Sequence, residues 1–403
     1  MKSTDLRSVL KKNMMTVVLV VVYIFFIAMT NGRIFTPENF NNLIAQNAYV
    51  FILGVGMLMC MLTGGNIDLS CGSFVCVLGA VAGLLSVENQ INKTLVLNTP
   101  LTLLIVFGIG IIYGVVLGGM IAFLKIPPWI ATLAGYLAFR GLGTELLTKA
   151  SATSAITNFP PALLAIFSGT IFKTDSGVAN IPCILLGAVA AVGVVIMNII
   201  TRKNKIAKGY EADPKWLLIS KSIIEATVIM LVMVMLAFDG GIPVALIWVA
   251  VIMVIYGFVC GKTTIGRHFM TVGGNAETAR LSGINNKLVM FGAYLNMAVL
   301  TVIASLLVTS RFQAANSSSG TNFEMDAISA CIVGGVSAYG GAGTVMGMVS
   351  VLRLSVSSTS ACLSWASTRT GRKSLRASFS SPQLFSTSCQ RKETRNSNYL
   401  PAQ

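Results

Sequence analysis

Apolar runs of membrane-spanning length alternate with short polar segments along most of the chain. A helix needs roughly 17–25 mainly apolar residues to cross a bilayer. Ten runs fit this length, at 14–30, 43–62, 71–87, 101–124, 128–148, 182–200, 216–238, 242–261, 288–310 and 326–349. The pattern therefore predicts an all-α polytopic membrane protein with about ten transmembrane helices.

Lys and Arg are distributed unequally between the two sets of loops that these helices define. If residues 1–13 lie in the cytoplasm, fourteen basic residues fall on the inner side and five on the outer side. Basic loops stay cytoplasmic, so this orientation is expected. The first run has the basic start of a signal peptide, but Asn31–Pro37 lacks a small-x-small cleavage site, which predicts a retained helix.

The composition excludes a soluble fold and changes the interpretation of the net charge. Hydrophobic residues make up 54% of the chain, charged residues 11%, and the mean hydropathy is +0.78. The net charge of +15 sits in short inner loops and in the tail rather than in a patch interleaved with aromatic residues. It therefore indicates contact with the lipid bilayer and a cytosolic protein, and no nucleic acid. The eight cysteines form no CxxC pair, so we expect buried thiols and neither a disulfide nor a metal site.

Thr63–Ser70, Thr-Gly-Gly-Asn-Ile-Asp-Leu-Ser, is a polar segment between two apolar runs. An intramembrane carboxylate is costly, and irregular backbone at membrane depth occurs only inside protein or beside water. This polar segment therefore predicts a broken or re-entrant stretch near a hydrophilic passage.

Other polar or small residues inside the apolar runs have local interpretations. Five glycines in the fourth run predict close helix packing: Gly108, Gly110, Gly114, Gly118 and Gly119. For Arg140 and Glu145, and for Lys221 and Glu225, interior pairing and snorkelling to the interface remain equal alternatives.

The inner loop at 262–287 carries helix-capping signals. The Gly273-Gly274 pair is followed by Asn275 at an N-cap position, the helix formers Ala276–Leu281, and Gly283 at the C-terminal end. Helix propensity alone favours an ordinary solvated loop. Nearby, Gly261-Lys-Thr-Thr264 falls short of a phosphate-binding loop because Tyr256 stands where that pattern requires glycine, so ATP hydrolysis is expected on a separate subunit.

Four segments together carry a family resemblance, at Thr63–Ser70 with Gly72 and Ser73, Pro127–Ala134, Val272–Ile284 and Asp326–Gly343. By these segments, residues of about 10–349 resemble the membrane permease subunit of bacterial ABC importers for monosaccharides, the ribose/xylose/galactose class, and particularly its multiple-monosaccharide branch. The resemblance implies a multi-pass protein of the bacterial inner membrane. Its implied partners are cytosolic ATPase subunits that use ATP, a second permease copy and an extracytoplasmic sugar-binding protein. It implies no catalytic residue, metal or cofactor in this chain.

The resemblance also assigns expected roles to individual residues. A cytoplasmic coupling helix that contacts the ATPase is implied by the motif residues Gly273, Gly274, Asn275, Glu277, Arg280, Leu281 and Gly283. Residues near the sugar path are implied at Asn66, Asp68, Ser70, Thr132 and Ser337. A structural role for Asp68, such as capping a broken helix, is the alternative.

The tail after Val349 departs from the family, whose members continue with another apolar span. Residues 350–403 contain fourteen Ser, eight Lys or Arg and one acidic residue, and no run that could span a membrane. This composition is typical of disorder. The abrupt change predicts either a genuine extension or a frameshift near codon 349, with 14–349 as the transmembrane permease domain.

Two other classes of transporter remain open from the sequence. An ion-coupled secondary transporter would also show interrupted spans and intramembrane acidic residues, for which Asp68 and Glu145 are available. A related ABC permease for nucleosides or branched-chain amino acids would share the architecture but not the cargo.

Overall fold

The computed structural model describes residues 36–92, 96–172, 180–207, 209 and 215–348. The predicted first helix at 14–30 and the tail at 350–403 lie outside the described residues. Within those residues the chain is almost entirely helical, as the hydrophobic pattern predicts.

The described residues form helices α1 to α12 and four short strands, β1 to β4. The helices are Pro37–Leu62 (α1), Cys71–Ser86 (α2), Thr99–Ala122 (α3), Pro128–Ala150 (α4), Pro161–Ser168 (α5), Ile181–Ala207 (α6), Lys215–Phe238 (α7), Val244–Lys262 (α8), Thr264–Gly274 (α9), Ala276–Leu281 (α10), Asn286–Phe312 (α11) and Phe323–Val333 (α12). The strands are Ala155–Thr157 (β1), Thr170–Ile171 (β2), Ile242–Pro243 (β3) and Ala314–Asn316 (β4).

Six helices among the described residues are long and apolar enough to cross a membrane, namely α1, α3, α6, α7, α8 and α11. They correspond to six of the predicted spans and confirm the all-α polytopic class. The predicted span at 71–87 is a helix of 16 residues, α2. The span at 128–148 is the 23-residue helix α4, which carries Arg140, Glu145 and Lys149.

The prediction of one continuous helix at 326–349 is wrong. Helix α12 ends at Val333, and the chain then turns through glycines with positive φ: Gly335 at 82°, Gly340 at 88° and Gly341 at 73°. Glycine adopts this left-handed conformation without the steric cost of a side chain, so the three residues interrupt an otherwise apolar run. The segment is therefore broken after Val333, whereas the sequence predicted a break only at Thr63–Ser70.

The inner loop at 262–287 is also more helical than its sequence suggested. Residues Thr264–Gly274 form α9, whose N-cap is Thr263; its side chain accepts a hydrogen bond from the backbone N–H of Gly266 at 3.4 Å. Thr263 belongs to the stretch that resembles a phosphate-binding loop, and here it separates two helices. His268 is exposed on α9.

Helices α1 and α11 form the centre of the described bundle. Their apolar windows are 65% and 67% buried, against 17–33% for the other four long apolar helices. Helix α3 lies against α11 through Gly110, Gly114 and Gly118, where an added Cβ would lie 2.2–2.9 Å from atoms of α11. The predicted glycine packing is confirmed for these three; Gly108 and Gly119 face open space.

Two short strand pairs connect distant parts of the chain. Strand β1 pairs antiparallel with β4, with Ile156 opposite Ala315, and β2 pairs antiparallel with β3, with Ile171 opposite Ile242. The six cysteines in the described ranges are free and buried.

The charged residues inside predicted spans have different environments. Glu145 forms an exposed ion pair with Lys149 at 2.9 Å. Glu225 lies between α6 and α7, where it accepts a hydrogen bond from Asn198 Nδ2 at 2.7 Å. Arg140 turns inward to the β4–α12 loop, and its Nη1 donates to the carbonyls of Ser317 and Ser319 at 3.2 and 3.0 Å.

Candidate functional site

The polar segment Thr63–Ser70 joins α1 to α2 and is folded around Asp68. The Asp68 side chain is 2% exposed, and its Oδ1 accepts hydrogen bonds from the Ser70 backbone N–H at 2.8 Å and the Ser70 hydroxyl at 2.5 Å. Donors at a helix start lack intrahelical partners, and a carboxylate that accepts from them stabilises the helix. In this structure Asp68 therefore satisfies the start of α2, which is the alternative role expected from the sequence.

The rest of the polar segment is bonded internally. The hydroxyl of Ser70, which is fully buried, also accepts from the hydroxyl of Tyr113 at 2.6 Å. The Asn66 amide donates to Thr63, to its carbonyl at 3.1 Å and its hydroxyl at 3.2 Å. These contacts hold the irregular backbone between the helices.

The other two predicted path residues have separate positions. Thr132 is fully buried and donates to the Pro128 carbonyl of its own helix at 2.9 Å. Ser337 lies in the turn after α12, where its backbone N–H donates to Ala342 O at 2.8 Å. The turn that contains Ser337 packs directly against the polar segment: an added Cβ at Gly65 would lie 2.0 Å from the Ala338 carbonyl oxygen.

Three glycine pairs from distant parts of the chain meet at one place, which we call the glycine junction: Gly64-Gly65, Gly273-Gly274 and Gly340-Gly341. An added Cβ at Gly273 would lie 1.7 Å from the Leu62 carbonyl oxygen, and one at Gly340 would lie 2.4 Å from Gly64 Cα. An added Cβ at Gly341 would lie 2.8 Å from Gly274 Cα.

The glycine junction also contains a direct backbone hydrogen bond, from Gly341 N to Leu62 O at 3.2 Å. Backbone contacts this close leave no space for side chains. The polar segment, the turn after α12 and the end of α9 are therefore packed against one another as backbone.

The short helix α10 begins immediately after the glycine junction. The Asn275 side chain accepts hydrogen bonds from the N–H groups of Glu277 and Thr278, both at 3.0 Å. Gly283, at φ 82°, follows the C-cap Ser282, and its N–H donates to Arg280 O at 3.0 Å. The predicted helix and its N-cap are confirmed, and the glycine lies one residue beyond the C-cap.

Helix α10 presents an apolar residue beside a charged pair. Leu281 is 75% exposed, and Arg280 pairs with Glu277 at 2.6 Å with both side chains 66% exposed. The hydrogen bond from Arg280 lowers the pKa of Glu277 from its usual value. The stabilisation by this pair is therefore present above the ordinary glutamate pKa and is lost as the pH falls through the lowered value. Helix α10 therefore has one apolar side chain and two charged ones side by side on its exposed surface.

A buried acidic residue that the sequence did not single out lies behind the polar segment. Glu324, near the start of α12, is 3% exposed, and an added Cβ at Gly72 would lie 2.0 Å from its Oε2. Glu324 Oε2 and Arg140 Nη2 are buried without a hydrogen-bond partner. In the described ranges, groups of His, Cys, Asp or Glu that could hold a metal ion are absent.

The chain matches a known protein family over most of its length. The model of the family described as "Branched-chain amino acid transport system / permease component" matches residues 39–368. This match continues beyond Val349, so the domain boundary predicted at residue 349 remains a prediction.

Curated relatives resemble the chain over a similar extent. The xylose transport system permease protein of Haemophilus influenzae is 33% identical over 349 residues, which is 85% of this chain and 87% of that protein. The Escherichia coli K12 xylose transport system permease protein is 30% identical over 337 residues, covering 83% of this chain and 81% of that protein. The ribose import permease protein of H. influenzae is 28% identical, with 81% and 78% covered. No solved structure matches the chain.

Proposed function

The chain belongs to the branched-chain amino acid transport system permease family, and we propose that it forms the passage for a monosaccharide through the bacterial inner membrane in an ATP-driven importer. It is a multi-pass transport subunit, as the family match and the six long apolar helices among the described residues indicate. The relatives named for xylose, ribose and galactose or methyl galactoside transport support a monosaccharide as the cargo.

The proposed energy source is a pair of cytosolic ATPase subunits that contact α10. The exposed Leu281 and the Glu277–Arg280 pair offer the apolar and charged groups that such a contact needs. A second permease copy and an extracytoplasmic sugar-binding protein complete the proposed assembly. These partners are inferred from the family resemblance.

The glycine junction is the observation that most supports coupling between ATP use and the membrane passage. It joins the end of α9, two residues before α10, to the end of α1 and to the broken segment after α12 without intervening side chains. A displacement of α10 by the ATPases would therefore move the backbone at both interrupted membrane segments. Such a rigid connection suits a two-state, alternating-access change.

The two carboxylates on which the ion-coupled alternative relied, Asp68 and Glu145, are already bonded within the protein. Asp68 is used at the start of α2, and Glu145 is in an exposed pair with Lys149. Neither is a free carboxylate inside the bundle that could exchange an ion.

Co-purification with the ATPase subunits of the same transport system tests the proposed contact. We expect the native chain and the control Leu281→Met to retain the ATPase. Leu281→Asp should weaken retention about tenfold or more, because a buried apolar anchor contributes more than about 1 kcal/mol to binding. Equal retention by the aspartate and methionine variants would contradict the proposed role of α10.

A further inference from the structure

Helix α12 carries polar residues on both its buried and its exposed side. Its buried side includes Glu324 and Ala327, whereas its exposed residues are two polar ones, Asp326 and Ser329, and two apolar ones, Met325 and Ile332. By contrast, the exposed residues of α6 and α8 are mostly large and apolar, for example Val189 at 73%. An exposed carboxylate on an otherwise apolar bundle requires a polar environment.

The outer half of α1 extends this polar surface. Tyr49 stacks on Phe323 of α12 with ring centroids 3.7 Å apart, and its hydroxyl donates to Asp326 Oδ2 at 2.8 Å. Gln46, nearly one turn before Tyr49, is exposed. Residues three or four apart share a helix face, so Gln46 and Tyr49 continue the surface of Asp326 and Ser329. We call these four residues the α1–α12 face.

Tyr49 places the α1–α12 face near the middle of α1, a helix long and apolar enough to cross a membrane. Tyr49 is the thirteenth of the 26 residues of α1, so about 18–20 Å of helix separates it from either end, at 1.5 Å per residue. A carboxylate at that depth is excluded from lipid and normally faces a bundle interior or a water-filled cavity. The hydrogen bond from Tyr49 holds Asp326 in one position but leaves its other oxygen able to accept.

The chemistry of this face fits a polyol. A carboxylate, a phenol, an amide and a hydroxyl together supply the acceptors and donors that successive sugar hydroxyls need, beside the aromatic pair of Tyr49 and Phe323. The residues that the sequence placed near the path fit less well, because Asp68, Ser70 and Thr132 are buried and already bonded within the protein.

We propose that the α1–α12 face is the wall that contacts the monosaccharide inside the membrane, with Asp326 as the main hydrogen-bond acceptor and Tyr49 as its positioning residue. This inference rests on the proposed function. The alternatives are that lipid or a dry contact with a second permease copy covers this face. The first experiment distinguishes a water-exposed face from both alternatives.

Reaction with a water-soluble maleimide tests whether the face is wet. The complex is prepared with Cys362 and Cys389 replaced by serine, because the six cysteines in the described ranges are buried. We expect Ser329→Cys to react and Val189→Cys, an exposed apolar control on α6, to remain unreactive. An unreactive Ser329→Cys would overturn the proposal, because lipid or a dry interface would then cover the face.

Sugar uptake tests the role of Asp326. In proteoliposomes that contain the complex, ATP and the binding protein, Asp326→Asn should lower uptake of D-xylose, D-ribose or D-galactose about tenfold or more, because a charge-assisted hydrogen bond is lost. Its melting temperature should stay unchanged, since asparagine can still accept the hydrogen bond from Tyr49. The control Glu145→Gln should transport normally.

Uptake by Asp326→Asn within twofold of native would overturn the sugar contact while leaving the proposed function intact. Failure of the native complex to take up any of the three sugars would instead contradict the proposed function. Labelling of Ser329→Cys would still report whether the face is wet.

Discussion

At the residue scale, the closest backbone contact of the glycine junction depends on Gly273. Its missing Cβ would lie 1.7 Å from the carbonyl oxygen of Leu62, a backbone atom that cannot rotate away. The adjacent Gly274 has no atom within 4 Å of its own added Cβ. The two glycines are neighbours in sequence and differ mainly in this contact, so they form a matched pair.

Substitution of this pair should separate the contact from a general effect on the helix. Gly273→Ala should force α9 away from α1, destabilise the protein by about 1–3 kcal/mol and lower ATP-driven uptake, whereas Gly274→Ala should change both little. Thermal unfolding in detergent and uptake in proteoliposomes measure the two effects. Similar results for the two variants would show that the close approach is not required.

Asp68 has the role of a helix-start acceptor in this structure, which predicts a loss of stability on truncation. Asp68→Ala removes the acceptor for the N–H and hydroxyl of Ser70 and should cost about 1–3 kcal/mol, because buried donors are left unsatisfied. Asp68→Asn keeps an acceptor oxygen and should lose less. If Asp68→Ala instead kept native stability and lost only transport, Asp68 would be a path residue.

The sequence identified Asp68 as important but could not decide between these roles. The sequence shows only that the Asp68 carboxylate lies between two helices. Its structural role follows from the fold, in which Asp68 is 2% exposed and accepts two hydrogen bonds from Ser70. Tyr49 and Asp326 show the converse. They are 277 residues apart, and only the folded chain shows that they are hydrogen-bonded and that Asp326 is exposed.

At the scale of elements, the apolar runs predicted the positions of the long helices but not the interruption of the run at 326–349. Apolar composition continues from Asp326 to Val349, so the run was interpreted as one helix although its glycines break it after Val333. For α10, the capping residues gave a local signal, but helix propensity favoured a solvated loop, and the family resemblance implied the helix. Helix α9 was missed because its glycines and Thr residues have low helix propensity, which tertiary packing overrides.

The contact between α3 and α11 gives a prediction at this scale. Gly118 packs against the Phe291 carbonyl oxygen, 2.9 Å from an added Cβ, and Gly119 faces open space. Gly118→Ala should destabilise the bundle despite its better helix propensity, whereas Gly119→Ala should be neutral or stabilise by up to about 1 kcal/mol. Unfolding in detergent measures both; equal stability of the two variants would contradict the packing.

At the scale of the whole molecule, the family and the polytopic class followed from combined signals in the sequence. The hydrophobic pattern alone gave the class, and four short segments in a fixed order gave the family, which the match over residues 39–368 establishes. How the four segments meet could not be predicted, because the glycine junction joins residues more than 200 positions apart through backbone contacts. The predicted extension or frameshift after Val349 concerns residues outside the described ranges, so it stays a prediction.

The central claim is that ATP hydrolysis on the ATPase subunits, transmitted through α10, drives a monosaccharide through this chain. Its most direct test is uptake of labelled D-xylose, D-ribose or D-galactose by proteoliposomes that contain the full chain, its ATPase subunits and its binding protein. The account predicts uptake that requires ATP on the ATPase side and persists when ionophores dissipate all ion gradients. Uptake that continues without ATP and stops when an ion gradient is removed would contradict it.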